Sequence, residues 1–344
     1  MNKLYNVKSR RRFLQLSSLG LLLASQGSTY IAASASNGNI IKPRGLKFGD
    51  TIGLICPASE IEAEYIESVQ NFLLESGYKV KLGNHVYDRY GYLAGKDLDR
   101  AADINAMFAD RSVDAILPVR GGWGLNRILD RLDYNLIRYN PKIVIGYSDI
   151  TSLLLAIYAR TGIITFHGPV GISNWNDFTL NYFEDIILQK KAVTLKNPIE
   201  MRVKTITPGR VRGKILGGNL TVITSTIGSG YLPSFDGAIL FVEEVSEDIY
   251  KIDRMLTQLK LAGILDRLSG FIFAQCRDCG NPLDTDPSLT LNQLLDDIIK
   301  PLKIPAWYGA AIGHIPNKFT VPIGLDVEID ASLGQIRMLQ PAVI

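Results

Sequence analysis

The sequence predicts an α/β protein whose second half is a β-rich α+β unit, and three observations carry that prediction. Short apolar, β-branched runs alternate with helix-length segments of 3.6-residue apolar spacing from residue 51 to about residue 160. Alternation at that spacing favours a parallel sheet with helices on both faces. Beyond residue 206 the pattern turns glycine-rich and alternating, with fewer helices and a hairpin-like end. With 47% hydrophobic residues, the chain has the apolar content of an ordinary globular protein of about two domains.

In order, residues 51–56 read as a buried strand, with Pro57-Ala58-Ser59 as the turn after it. Residues 60–77 show helical spacing through Ile66, Val69, Phe72 and Leu73. Residues 78–81 alternate as a strand, residues 98–110 as a helix, and residues 113–119 form another buried strand. The run 142–145 is a strand, Gly146-Tyr147-Ser148-Asp149 a sharp turn, and 152–159 a helix. Residues 174–199 mix helix and polar loop and read as an interdomain connection. Residues 207–220 look like strands around a turn. Residues 238–242 are a strand running into Glu243-Glu244, and residues 250–262 a helix with Ile252, Met255, Leu256 and Leu259 on its apolar face. Short strands at 271–273 and 306–312 precede a closing hairpin over 319–339 that turns at Ser332-Leu333-Gly334. The expected division is 1–35, 36–175, a linker region 176–206, and 207–344.

Residues 1–35 read as a twin-arginine export signal. Ser9-Arg10-Arg11-Arg12 leads into an apolar run over 13–24 without an acidic residue, and Ala33-Ser34-Ala35 offers a small-x-small cleavage site. The apolar run is too short for a membrane span, and no cysteine follows it to carry a lipid, so no stable membrane anchor is expected. The segment holds five of the 37 Lys+Arg and none of the 34 Asp+Glu, which leaves the remainder at a net charge of −2. That balance asks for no nucleic-acid partner. Cys276-Arg277-Asp278-Cys279 is a C-x-x-C without a second pair or a nearby histidine, and reads as a local disulfide or two inert thiols rather than a zinc or redox site.

The chemistry centres on Ser148. A strand-to-helix turn lifts a hydroxyl out of the sheet edge beside the unpaired N–H groups and positive dipole end of the helix. Ser and Asp also cap helices, so Ser148 or Asp149 as a plain N-cap is the competing reading. At the end of the third strand, Arg120-Gly121-Gly122-Trp123-Gly124 permits close backbone approach, and an N–H of Gly121 or Gly122 could face Ser148. The spacing is not that of a dinucleotide-binding loop. A serine nucleophile needs a base and a group to hold the base. Of the three histidines, His85 lies in a polar loop and His167 reads as a satisfied structural histidine. His314, flanked by Gly313 and Pro316, has the setting of an exposed strand-end base. Glu243 ends an apolar strand, where a carboxylate is costly unless paired; two solvated carboxylates at Glu243-Glu244 are the alternative.

Five motifs then carry a resemblance: Arg120-Gly121-Gly122-Trp123-Gly124, Gly146-Tyr147-Ser148-Asp149, Gly217-Gly218-Asn219-Leu220, Val242-Glu243-Glu244 leading to residues 250–256, and Gly313-His314 with Pro322-Ile323-Gly324. In order and spacing, from about residue 48 onward, they resemble the L,D-carboxypeptidases, the muramoyltetrapeptide carboxypeptidase group of serine peptidases that also contains microcin C immunity proteins. The resemblance implies a flavodoxin-like N-terminal domain, a C-terminal swivelling β/β/α-type domain and a homodimer. It implies a triad of Ser148, Glu243 and His314, oxyanion donors at the N–H groups of Gly122 and Asp149, and no metal or cofactor. Arg120 is read as the partner of the substrate's terminal carboxylate. The implied activity is removal of the terminal D-Ala from murein tetrapeptides. An immunity-type peptidase acting on peptidyl nucleotides and a catalytically silent muropeptide-binding protein are the alternatives. Trp123 stands where tyrosine is common, and the export signal, unlike cytoplasmic members, points to a periplasmic or exported location reached through the twin-arginine machinery.

Overall fold

The computed structural model describes residues 40–280 and 287–344; the export-signal reading of residues 1–35 lies outside the described residues. The first sheet runs in the order β2-β1-β3-β4-β5, with the late strand β12 (Val321–Ile323) on the β5 edge. Its first five strands, β1 (Thr51–Ile55), β2 (Lys79–Leu82), β3 (Ala115–Pro118), β4 (Ile143–Gly146) and β5 (Thr165–His167), pair in parallel. Helices α1 (Ala63–Glu75), α2 (Asp97–Ala109), α3 (Tyr134–Tyr139) and α4 (Ile150–Thr161) alternate with them. β3 and β4 are buried along their whole length, as expected of strands covered on both faces. The order 2-1-3-4-5 is that of a flavodoxin-like sheet, whose ligands sit beyond the carboxyl ends of the strands next to the reversal between β1 and β3.

The stretch 176–206, expected as a connection, carries α5 (Asp177–Phe183), β6 (Thr194–Lys196) and most of β7 (Lys204–Thr207), and these two strands are the edges of the second sheet. That sheet continues with β8 (Arg210–Asn219), β9 (Ile239–Val245), β10 (Gly270–Arg277), β11 (Ala306–Tyr308), β13 (Asp326–Asp330) and β14 (Gln335–Met338), in the order β6-β14-β13-β8-β9-β10-β11-β7. Helices α6 (Leu220–Ser225), α7 (Ile249–Leu261) and α8 (Leu291–Ile298) lie in its crossovers. Where an α+β half was expected, the four central strands β8 to β11 are parallel and only the flanks are antiparallel. β9 carries an unbroken apolar run before its two glutamates, the pattern of a strand buried on both sides. Residues 207–220, expected as strands around a turn, hold the single ten-residue strand β8, which lies between β13 and β9, while β7 ends at Thr207 and joins β11.

One strand crosses between the halves. β12 (Val321–Ile323), late in the sequence, pairs antiparallel with β5 at the edge of the first sheet. The two sheets also meet where the Asn219 N–H at the end of β8 donates to Thr151 Oγ1 in the first turn of α4, at 3.0 Å.

Candidate active site

Ser148 occupies the corner between β4 and α4 with φ of +63°, a left-handed backbone that residues other than glycine adopt only at a cost. The capping role open to these residue types is not taken up: Asp149, at the N-cap position of α4, makes no side-chain bond to its own helix. Its Oδ2 instead accepts from the Leu125 N–H at 2.9 Å and ties the corner to the glycine loop. Burial pushes the Asp149 carboxyl up to about 6, against the opposing pull of that bond and of the Arg100 guanidinium.

The glycine loop after β3 is fastened from beneath. The Trp123 N–H donates to Ser59 Oγ at 2.9 Å, and buried Arg100 donates to the carbonyls of Gly124 at 3.0 Å and Pro57 at 2.6 Å. Gly121 lies directly against the nucleophile candidate, since a Cβ there would stand 2.9 Å from Ser148 Cβ and 3.1 Å from its Oγ. Gly122 has φ of +120° and the Ser59 side chain where its own would be. The N–H groups of Gly121, Gly122 and Asp149 donate to no backbone carbonyl among the described residues.

From the second half, His314 Nδ1 is 2.7 Å from Glu243 Oε2. Glu243 is fully buried at the end of β9. Burial pushes its carboxyl up, but the hydrogen bond and charge of His314, helped by His167, outweigh burial and hold it below the usual range. Gly313, with φ of +105°, leaves open the space that the Glu243 carboxylate occupies. Glu244 is also buried and takes a separate set of partners: Asn219 Nδ2 at 2.9 Å and Thr221 N and Oγ1 at 2.9 and 2.8 Å. The alternative of two solvated carboxylates is therefore excluded.

Ser148, Asp149, Gly122, Trp123, Arg120 and His314 line one cavity of about 560 Å³. Arg120 Nη1 donates to the Glu60 carbonyl at 3.3 Å and remains on the cavity wall. His85 lies apart on its loop, bonded to Asp88 at 2.8 Å. Together with Asp99 these two form a group of three possible metal ligands within 4.8 Å of one another, away from the cavity. His167 corrects the expectation of a satisfied histidine: it is buried, yet neither ring nitrogen has a hydrogen-bond partner among the described residues. Burial pushes its imidazole down to about 4. Cys276 and Cys279 form a disulfide, and Cys56 is a buried free thiol pushed up to about 12 by burial.

Sequence reasoning missed Ser59, Asn219 and Arg100 as supports of the site. Ser59 and Trp123 are 64 positions apart, so their bond leaves no local trace. Arg100 does leave a signal: it occupies the buried stripe that Ile104, Met107 and Phe108 continue, where an unpaired arginine is not tolerated.

A hydroxyl at a strained strand-to-helix corner, a carboxylate-held imidazole and free N–H groups on one cavity define a serine-type hydrolase. The chain belongs to the LD-carboxypeptidase family: residues 52–168 match the LD-carboxypeptidase N-terminal domain and residues 212–329 the LD-carboxypeptidase C-terminal domain. It is 39% identical to the "Probable murein peptide carboxypeptidase" of Bacillus subtilis (strain 168), over 82% of this chain and 89% of that protein. Against the Microcin C7 self-immunity protein MccF of Escherichia coli it is 30% identical over 83% of this chain and 92% of that one. Its fold superposes on the crystal structure of muramoyltetrapeptide carboxypeptidase from Oxalobacter formigenes with a TM-score of 0.74 and 27% identity, covering 84% of this chain and 97% of the other.

Proposed function

We propose that the chain removes the terminal D-Ala from murein tetrapeptides by hydrolysing its bond to the L-centre of the diamino acid. Ser148 is the nucleophile, His314 takes its proton, and Glu243 holds the imidazole so that the nitrogen away from Glu243 faces the hydroxyl. The N–H groups of Gly122 and Asp149 hold the oxyanion, and Arg120 meets the terminal carboxylate of the substrate. The supporting observation is the 2.7 Å bond from His314 to a fully buried Glu243, on a cavity that Ser148 also lines. The arginine pair and apolar run of residues 1–35 support export through the twin-arginine machinery and action in the periplasm or beyond. The family resemblance supports a homodimer.

A second reading is favoured by Trp123, which is 64% exposed on the cavity wall and offers an aromatic face to a nucleobase, as an immunity-type peptidase would need. The test is to incubate the mature protein with disaccharide tetrapeptide and follow free D-Ala by mass spectrometry. Release is expected, and Ser148→Ala is expected to abolish it while leaving substrate binding intact. Release by the alanine variant at the parent rate removes Ser148 from the mechanism. Cleavage of a peptidyl adenylate with no release from tetrapeptide establishes the second reading, and binding without any release makes the protein a silent muropeptide-binding module.

A further inference from the structure

We propose that the Cys276–Cys279 disulfide is a thiol–disulfide exchange site through which an external dithiol controls the hydrolysis: closed, the bridge braces the back of His314 and one wall of the active-site cavity, and opened, it releases both. The proposal rests on the reading of His314 as the base. Cys276 is the next-to-last residue of β10, and that strand keeps its parallel register with β9 only as far as Phe273. Past an irregularity, Cys276 and Arg277 pair again with Glu244 and Val245. These two residues therefore stand apart from the buried body of the strand, and the bridge to Cys279 closes the turn that follows them.

The turn meets the active site through three hydrogen bonds. Arg277 Nη1 donates to the His314 carbonyl at 3.3 Å. The Arg277 carbonyl accepts from the Ser246 N–H at 2.8 Å, and the Gly280 N–H donates to the Glu247 carbonyl at 3.2 Å. Ser246, Glu247 and His314 all line the cavity. Ser246 has φ of +54°, a left-handed backbone that a serine keeps only where its surroundings impose it, and the bond to Arg277 is one such constraint. Freeing the turn therefore loosens the carbonyl hold on His314 and the strained corner of the wall together.

The bridge has the setting of a labile disulfide, since exposed and strained bridges are the ones that exchange. Cys276 and Cys279 are both partly exposed, and the side chains between them, Arg277 and Asp278, are 57% and 68% exposed. Asp278 has φ of +53°, so opening the ring lets a strained residue relax. The Arg277 cation next to Cys276 favours a thiolate as the leaving sulfur. In the exchange, a thiolate of the dithiol attacks one sulfur of the bridge and the other leaves as thiolate. The second thiol of the dithiol then attacks the mixed disulfide, frees the remaining cysteine and leaves the reductant as its own disulfide. Two electrons and two protons pass to Cys276 and Cys279. Their spacing keeps the two thiols together, so an oxidised dithiol closes the bridge again by the reverse steps.

The test equilibrates the protein with reduced and oxidised dithiothreitol in graded ratios and reads three quantities at each: alkylation of cysteines by mass spectrometry, kcat and KM for D-Ala release from disaccharide tetrapeptide, and amide deuterium exchange. Cys276 and Cys279 are expected to become labelled while buried Cys56 does not. As they do, kcat falls by about tenfold or more, the scale on which a displaced catalytic group acts, and exchange rises over 244–248 and 313–316 but not over 51–55. Label and kcat follow one midpoint, and oxidised dithiothreitol restores both. The double variant Cys276→Ser/Cys279→Ser has the kcat of the reduced protein and ignores the dithiol. A bridge that stays closed, a reduced protein with parental kcat and exchange, or a double variant with the kcat of the oxidised parent overturns the proposal. Labelling of Cys56 on reduction, or a double variant that does not fold, also overturns it by assigning the bridge to the fold. If the parent releases no D-Ala at all, the proposed function fails, while labelling and deuterium exchange still decide whether the bridge opens and braces this wall.

Discussion

Asp149 contributes twice to the corner it occupies: its N–H donates to no backbone carbonyl among the described residues, and its carboxylate anchors Leu125 of the glycine loop. Because its folded carboxyl is raised to about 6, the folded state binds a proton there more tightly than the unfolded chain. Stability from this group is therefore present at low pH and lost as pH rises from about 4 to about 6. In Asp149→Asn the amide oxygen still accepts from Leu125 and no charge forms. The difference in Tm between variant and parent, followed by calorimetry from pH 4 to 7.5, is expected to shift in favour of the variant across that window; a constant difference counts against a raised Asp149. At this scale the sequence was informative where chemistry demands a residue type. A hydroxyl after a strand, an acid at the end of an apolar run and a Gly-flanked histidine named Ser148, Glu243 and His314. It was silent where partners are set by distant packing, so the Ser59 bond to Trp123 and the bare ring nitrogens of His167 were not legible.

Among the elements, the glycine loop after β3 shows most directly why particular residues are required. Gly122 combines a left-handed φ with a neighbour in the space of its missing side chain. Gly122→Ala is expected to destabilise by about 1–3 kcal/mol from backbone strain alone. The shift of Ser59 also releases the loop, so kcat/KM is expected to fall by more than tenfold with KM less affected than kcat; urea titration and steady-state kinetics measure the two effects. A variant with parental kinetics would show that this loop does not shape the site. Helices and buried strands were readable from periodicity to within a few residues, as in α2, expected over 98–110 and observed as Asp97–Ala109. Strand partnership was not, because alternation reports which face is buried and carries no information on the neighbour. That is why residues 207–220 read as strands around a turn although β8 runs through them as one strand between β13 and β9.

Among the described residues, the contacts that fasten the two sheets include β12 on the edge of β5, the Asn219 bond to Thr151, the Asn126 bond to Ser225, and the loop after His314 on α5. Such ties predict that the two sheets melt as one cooperative unit. Calorimetry is expected to give a single transition with equal calorimetric and van't Hoff enthalpies, and two separated transitions would show that the halves fold apart. No periodicity announces that a short strand near the end of the chain returns to the first sheet, so this closure was the least legible feature of the fold. Its consequence concerns timing. His314 lies on the span between β11 in one sheet and β12 in the other, whereas Ser148 is rooted in the first sheet alone. The cavity that both residues line is therefore complete only after both sheets have formed and β12 has joined β5.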